Sequence, residues 1–249
     1  MRERGEFRVG TSGWTYSSWR GRFYPKDLKA SDYLAWYGRC FDTVEINYSF
    51  YHLPQPKTFE RWAVEAPPGF VFAVKASKLV THTLRLAQAE EPWRKFLDHA
   101  SHLGDKLGPL LLQLPPSLKA DLARLEAFLE LSRSLGARRL ALEFRHASWF
   151  TREVDELAAR HGAALVIGHS SRYPCAPLAT AAPFIYLRFH GPRELFSSRY
   201  SEEELAGWAA HIRSWLAEGR PVYAYFNNDA GGYAIENAQM LLSLVRPPA

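Results

Sequence analysis

Thiols are scarce in this chain. Its two cysteines, Cys40 and Cys175, lie far apart in the 249 residues and match no zinc or redox spacing. That excludes a disulfide scaffold, a zinc ribbon and a Cys-x-x-Cys oxidoreductase. No apolar run is long enough to span a bilayer and no secretory leader pattern is present, so a reduced, cytoplasmic setting with no membrane partner is expected. No glycine-rich dinucleotide fingerprint follows the first strand and no nucleophile-elbow serine occurs, which argues against nucleotide redox chemistry and serine hydrolysis. Basic runs are missing too. The 31 Lys and Arg against 26 Asp and Glu give +5, but the arginines are scattered. This mild excess suits an anionic ligand better than a nucleic-acid footprint. There is no internal repeat and no low-complexity linker, so residues 1–249 read as one domain.

Apolar order is abundant. Hydrophobic residues make up 47% of the chain and aromatic ones 14%. The aromatics crowd the first third, and most of them are expected to pack between helices and strands. Eight short apolar segments read as strands: 7–11, 43–46, 70–75, 110–113, 139–144, 164–167, 184–189 and 222–226. Helical stretches separate most of them: 31–41 with Ser31 as N-cap, 57–65, 92–103, a leucine-spaced stretch from Leu118 to Leu135, a helix begun by Ser148 or Thr151, one opened by Ser201 and Glu204 as a capping box, and a last one after Gly232. The Pro-rich connection between strands six and seven offers no helix. This alternation predicts an α/β protein, a single (β/α)8 TIM-type barrel.

In such barrels the active site gathers at the C-terminal ends of the strands. Side chains alternate along a strand, so the last inward position of each can be read off. The reading gives Glu45, Lys75, Gln113, Glu143, His190 and Asn227, with Asn47 and Arg145 just beyond and Arg188 one layer deeper. Tyr225 shares the inward face with Asn227. The positions beneath are mostly apolar or aromatic, so polarity begins where a pocket should open. Structural ion pairs are the plain alternative for the charged members, but buried pairs stabilise poorly and several share one layer. Helical histidines such as His99 and His102 read as surface residues.

The residue types set the chemistry. Two glutamates can divide acid and base duties if their surroundings separate their pKa values. Lys75 can neutralise an anion or, if desolvated, form a Schiff base. Arg188 and Arg145 suit phosphate or carboxylate. Gln113, Asn47 and Asn227 can bond hydroxyls or amides, and Trp14 or Tyr48 can cover a ligand. Asn228 opens a glycine-containing loop, 227–232, where barrels often hold phosphate. No cofactor is required by the sequence. A divalent metal on Glu45, Glu143 and His190 is conceivable, although Lys75 and Arg188 already balance the acids.

Several of these segments resemble the family called domain of unknown function 72, or YecE-like. They are Gly10-Thr-Ser-Gly-Trp14, Trp19 to Pro25, Val44-Glu-Ile-Asn47 with Ser49-Phe-Tyr51, Lys75, Gln113-Leu-Pro-Pro116, Glu143-Phe-Arg-His146 with Ser148-Trp149, Arg188-Phe-His-Gly191 and Tyr225-Phe-Asn-Asn228. The resemblance implies a TIM-type barrel and carries no established activity. The expectation is therefore an enzyme of hydrolase, lyase or isomerase type. Glu45 and Glu143 would serve as acid and base, with Lys75 and His190 beside them, on a small polar or anionic substrate, sugar- or phosphate-containing. The rivals are a nucleic-acid-binding or processing protein and a barrel that binds a ligand without chemistry.

Overall fold

The computed structural model describes residues 5–246. The alternating segments form eight strands: β1 (Phe7–Thr11), β2 (Thr43–Ile46), β3 (Val71–Lys75), β4 (Leu107–Gln113), β5 (Leu140–Glu143), β6 (Ala164–His169), β7 (Ile185–Phe189) and β8 (Val222–Phe226). They pair in parallel in the order β1-β8-β7-β6-β5-β4-β3-β2. The fold is a nearly closed TIM-type (β/α)8 barrel.

The seam between β1 and β2 is closed by one bridge, Ser12 to Glu45, and by a side chain. The Tyr37 hydroxyl accepts from the Thr11 amide at 2.9 Å and donates to the Thr43 carbonyl at 3.1 Å, standing in for a ladder bond. Gly10 permits this approach. A Cβ there would lie 2.2 Å from the Thr43 oxygen and 2.7 Å from the tyrosine hydroxyl.

Among the described residues eight α-helices lie between or after the strands: α1 (Tyr33–Tyr37), α2 (Tyr48–Tyr51), α3 (Pro56–Glu65), α4 (Glu90–Ser101), α5 (Leu122–Ser134), α6 (Arg152–Arg160), α7 (Glu202–Ala217) and α8 (Tyr233–Val245). The Ser201–Glu204 capping box opens α7, and Thr151 caps α6. The long coil between β6 and β7 has no helix. Three sequence expectations need correction. Helix α1 is far shorter than 31–41, because a 3-10 turn at Ala30–Asp32 precedes it and Gly38 follows. Ser31 bonds only its neighbour Asp32 and does not cap. His99 is buried, its Nδ1 bonded to the Pro54 carbonyl at 2.8 Å.

Two apolar layers result. The larger lies between barrel and helices and takes in most of the early aromatics, such as Tyr24 stacked on Tyr33 at 3.9 Å. The smaller fills the barrel. Ala73, Ala141 and Ala164 leave room there for Tyr186, Tyr223 and Tyr225. Small residues on three strands thus offset bulky ones on two, and the interior packs without a pore. Polar side chains start directly above this plug.

Candidate functional site

The lowest polar tier is an arginine held by two carboxylates. From β7, Arg188 donates through Nε (3.0 Å) and Nη2 (2.7 Å) to the two oxygens of Glu45 on β2, and through Nη1 to Glu143 Oε2 on β5 at 2.5 Å. Glu45 also accepts from Ser12 Oγ and from the Tyr186 hydroxyl, each at 2.7 Å, so both its oxygens carry two bonds. All three charged groups are buried. Burial would raise the Glu45 carboxyl; the Arg188 charge and hydrogen bonds, with Ser12 and Tyr186, outweigh it and hold it below its usual value. Burial likewise opposes ionisation of Glu143, but Arg188, Arg145 and the His190 bond keep it well below the usual carboxylate range.

The second tier stands on the first. Glu143 Oε1 accepts longer bonds from Arg145 (3.1 and 3.3 Å) and from His190 Nε2 (3.3 Å). Gln113, paired with Glu143 across β4 and β5, offers its Oε1 to Arg145 Nη2 at 3.2 Å and to Lys75 Nζ at 2.9 Å. The Lys75 ammonium also sits 4.3 Å from the Phe50 ring centroid. That ring is placed by Ser49, whose hydroxyl bonds the Lys75 carbonyl and ties α2 to the end of β3. Lys75 has no carboxylate within ion-pair distance among the described residues. Burial, aided by the Arg188 charge against the pull of Glu143 and Glu45, lowers its amine to about 7. His190 Nδ1 meets Asn227 Nδ2 at 3.3 Å, which fits a neutral ring that donates from Nε2. Burial and Arg188 push this imidazole down to about 4.

A cavity of about 540 Å³ opens over this tier, lined by Tyr16, Asn47, Phe50, Tyr51, Lys75, Lys78, His82, Gln113, Arg145, Phe196 and Asn227. Among the described residues the lining holds three basic side chains and no carboxylate. The strand-end reading found Asn47, Lys75, Gln113, Arg145 and Asn227; it missed Lys78 and His82, which follow β3, and the aromatics Tyr16, Phe50, Tyr51 and Phe196. These aromatics come from loops and from α2, where no period tells which way a side chain points. For Tyr16, Phe50 and Tyr51 the one sequence signal was the aromatic crowding of the first third of the chain; Phe196 had none.

Other expected residues lie elsewhere. Arg188 binds the protein's own carboxylates rather than the cavity. Tyr225 belongs to the plug, bonded to Thr43 Oγ1 at 2.7 Å. Asn228 is buried outside the mouth, its Nδ2 bonded to Ser198 and Asn237. The 227–232 loop is folded against other side chains: Asp229 accepts from Trp19 Nε1 at 2.6 Å, and Arg22 bonds the Gly231 carbonyl. Trp14 and Tyr48 line a neighbouring cavity of about 820 Å³, where Trp14 packs edge-on to Trp62. Tyr16 and Asn47 wall both cavities. Glu45, Glu143 and His190 do not form a metal donor set, since Arg188 stands between the carboxylates. No group of three or more His, Cys, Asp or Glu fit to hold a metal occurs among the described residues. Nor is any described helix long and apolar enough to cross a membrane.

The family model described as "Protein of unknown function DUF72" matches residues 8–249. The chain belongs to the DUF72 family. UPF0759 protein YunF of Bacillus subtilis is 27% identical over 95% of this chain and 94% of its own length. UPF0759 protein YecE of Escherichia coli K12 is 30% identical over 51% of this chain and 46% of its own. Among solved structures, a DUF72 family protein from Thermotoga maritima superposes with a TM-score of 0.83 at 29% identity, covering 96% of this chain and 99% of that one. Another from Enterococcus faecalis has the same fold, with a TM-score of 0.82 at 19% identity.

In this DUF72 chain the segments that carried the resemblance have concrete tasks. Gly10 to Ser12 forms the seam and supports Glu45. Glu143-Phe-Arg145 supplies both the lower carboxylate and the upper guanidinium. Arg188-Phe-His190 spans the two tiers in one strand.

Proposed function

We propose that the protein is an acid–base enzyme, of hydrolase, lyase or isomerase type, acting on a small anionic substrate at the barrel mouth. The observation that carries this reading is the cavity lining, with Lys75, Lys78 and Arg145 and no acid. A cation-lined recess partly shielded from water attracts anions more strongly than exposed charges do. Arg145 Nη1 makes no hydrogen bond among the described residues, so it is available to substrate.

The geometry divides the two glutamates. Glu45 is saturated by Arg188, Ser12 and Tyr186 and acts as a positioning residue. Glu143 lies under Arg145, where one oxygen with long bonds can take a proton once a ligand draws Arg145 away. Lys75 meets the substrate directly, and its lowered pKa suits proton transfer near neutrality.

The test is thermal stabilisation by inorganic phosphate, sugar phosphates and small carboxylates at constant ionic strength. Wild type should be stabilised, and Arg145→Gln should lose most of the shift. Equal shifts in both proteins would overturn the reading. Exposed Tyr51 (72%) on the cationic cavity, with exposed Tyr48 (58%) on the cavity next to it, supports a second reading, single-stranded nucleic acid stacked on the rim. It requires oligonucleotide binding that weakens steeply with salt.

A further inference from the structure

We propose that Lys75 is an imine-forming nucleophile and that the substrates are 2-oxo acids, small molecules with a carbonyl next to a carboxylate. The inference rests on the anion-binding reading above and names its substrate class. Three features of geometry carry it. The Lys75 amine faces an aromatic ring and a neutral amide oxygen, with no carboxylate in ion-pair range among the described residues. Lys75 lines the cavity, whereas Glu45, Glu143 and Arg188 lie beneath it. Arg145 and Lys75 donate to the same atom, Gln113 Oε1, so the cation that would hold a carboxylate is the immediate neighbour of the amine.

That spacing selects the ligand. A carboxylate attached directly to the carbonyl carbon reaches Arg145 while the carbon sits at Lys75 Nζ. The lowered amine pKa provides the neutral nucleophile near pH 7, as desolvated imine-forming lysines require.

The reaction balances without another reagent. The ammonium first gives one proton to water in the cavity; the freed nitrogen lone pair then attacks the carbonyl carbon, forming the C–N bond as the C=O π pair moves to oxygen. The oxygen takes back that proton and a second one from nitrogen, and the C–O bond breaks to release water as the C=N bond forms. The product is a protonated imine carrying the same single positive charge, still facing Phe50 and Gln113. Starting from the ammonium, no net proton is taken up.

The experiment treats the full chain at pH 7.5 with pyruvate or glyoxylate and sodium borohydride, which reduces an imine to a stable secondary amine. Intact mass and peptide mapping then locate the adduct. The expected result is one adduct per chain, on Lys75, exceeding that on any exposed lysine by roughly tenfold or more, because ordinary lysines are almost wholly protonated there. Acetone, which lacks the carboxylate, should label Lys75 far less. Lys75→Arg should give no preferred adduct while keeping a cooperative thermal melt, which shows that the fold is intact. Absence of a preferred Lys75 adduct with both oxo acids overturns the proposal, and equal labelling by acetone overturns the 2-oxo acid assignment. Phosphate stabilisation distinguishes the two levels. If it persists without the adduct, only the imine fails; if it is absent, the anion site itself fails.

Discussion

Arg188 is the most informative residue to replace. Arg188→Met keeps much of the side chain's bulk while removing the cation shared by Glu45 and Glu143. Removing one partner of a buried ion pair costs about 3–5 kcal/mol, because the other charge is left buried and uncompensated. Two carboxylates lose their partner here, but neither is stripped bare. Glu45 keeps Ser12 and Tyr186, and Glu143 keeps Arg145 and His190. The expected loss at pH 7 therefore stays near about 3–5 kcal/mol rather than doubling. Against a typical total of about 5–15 kcal/mol, urea denaturation should show it plainly. The pH dependence gives the sharper check. In wild type both carboxyls are held below their unfolded pKa, so this stabilisation is full above the unfolded value and is lost as pH falls through the folded one. Without Arg188, burial dominates and raises the same pKa values. Protonation then relieves the mutant, so its deficit should shrink from pH 8 toward pH 5. Adding Glu45→Gln should recover part of the loss, since the two sites are coupled. A deficit below about 1 kcal/mol, the level of an exposed pair, would refute the reasoning. So would a deficit that is flat between pH 5 and 8.

Two other replacements test the tier above and the seam. Lys75→Met should raise the melting temperature most near pH 6, with a gain that fades toward pH 10. The folded amine has a pKa of about 7, below its unfolded value, so the unfolded chain binds more protons between those limits and wild-type stability rises with pH across them. Tyr37→Phe removes the hydroxyl that satisfies the Thr11 amide and the Thr43 carbonyl, and should cost about 1–3 kcal/mol by equilibrium denaturation. An unchanged midpoint would mean that the β1–β2 seam holds without it.

Strands were the most legible part of the chain, because period-two alternation says both where a strand runs and which side chains point inward. Glu45, Lys75, Gln113, Glu143, Arg188 and His190 were all placed on the correct face by that rule. What alternation could not give was partnership. Arg188 reads as a ligand anchor or as a clamp on two neighbours; the choice depends on strand order around the barrel, which leaves only β6 between β7 and β5 and brings β2 within reach of β7 across the interior. Loops were the least legible. The direction of Tyr16, Phe50, Tyr51 and Phe196 is set by local turns, as when Ser49 ties α2 to the Lys75 carbonyl. Trp14 failed for a related reason: a turn after β1 carries its ring into the wall of the neighbouring cavity.

The two tiers also explain how a barrel with buried acids can present a cationic mouth. Arg188 and Arg145 together balance Glu45 and Glu143, so the acids add little net negative field above the cavity floor. The excess positive charge then falls to Lys75 and Lys78, which line the opening. Glu143 links the tiers through separate oxygens, Oε2 bonded to Arg188 and Oε1 to Arg145 and His190. An anion that engages Arg145 need only displace the Arg145 contacts, and Arg188 with His190 keeps Glu143 in place. Exchange of the Arg145 partner from Glu143 to ligand would bare a carboxylate oxygen beside the bound molecule, which ties anion binding to the exposure of a second proton acceptor in a single side-chain movement.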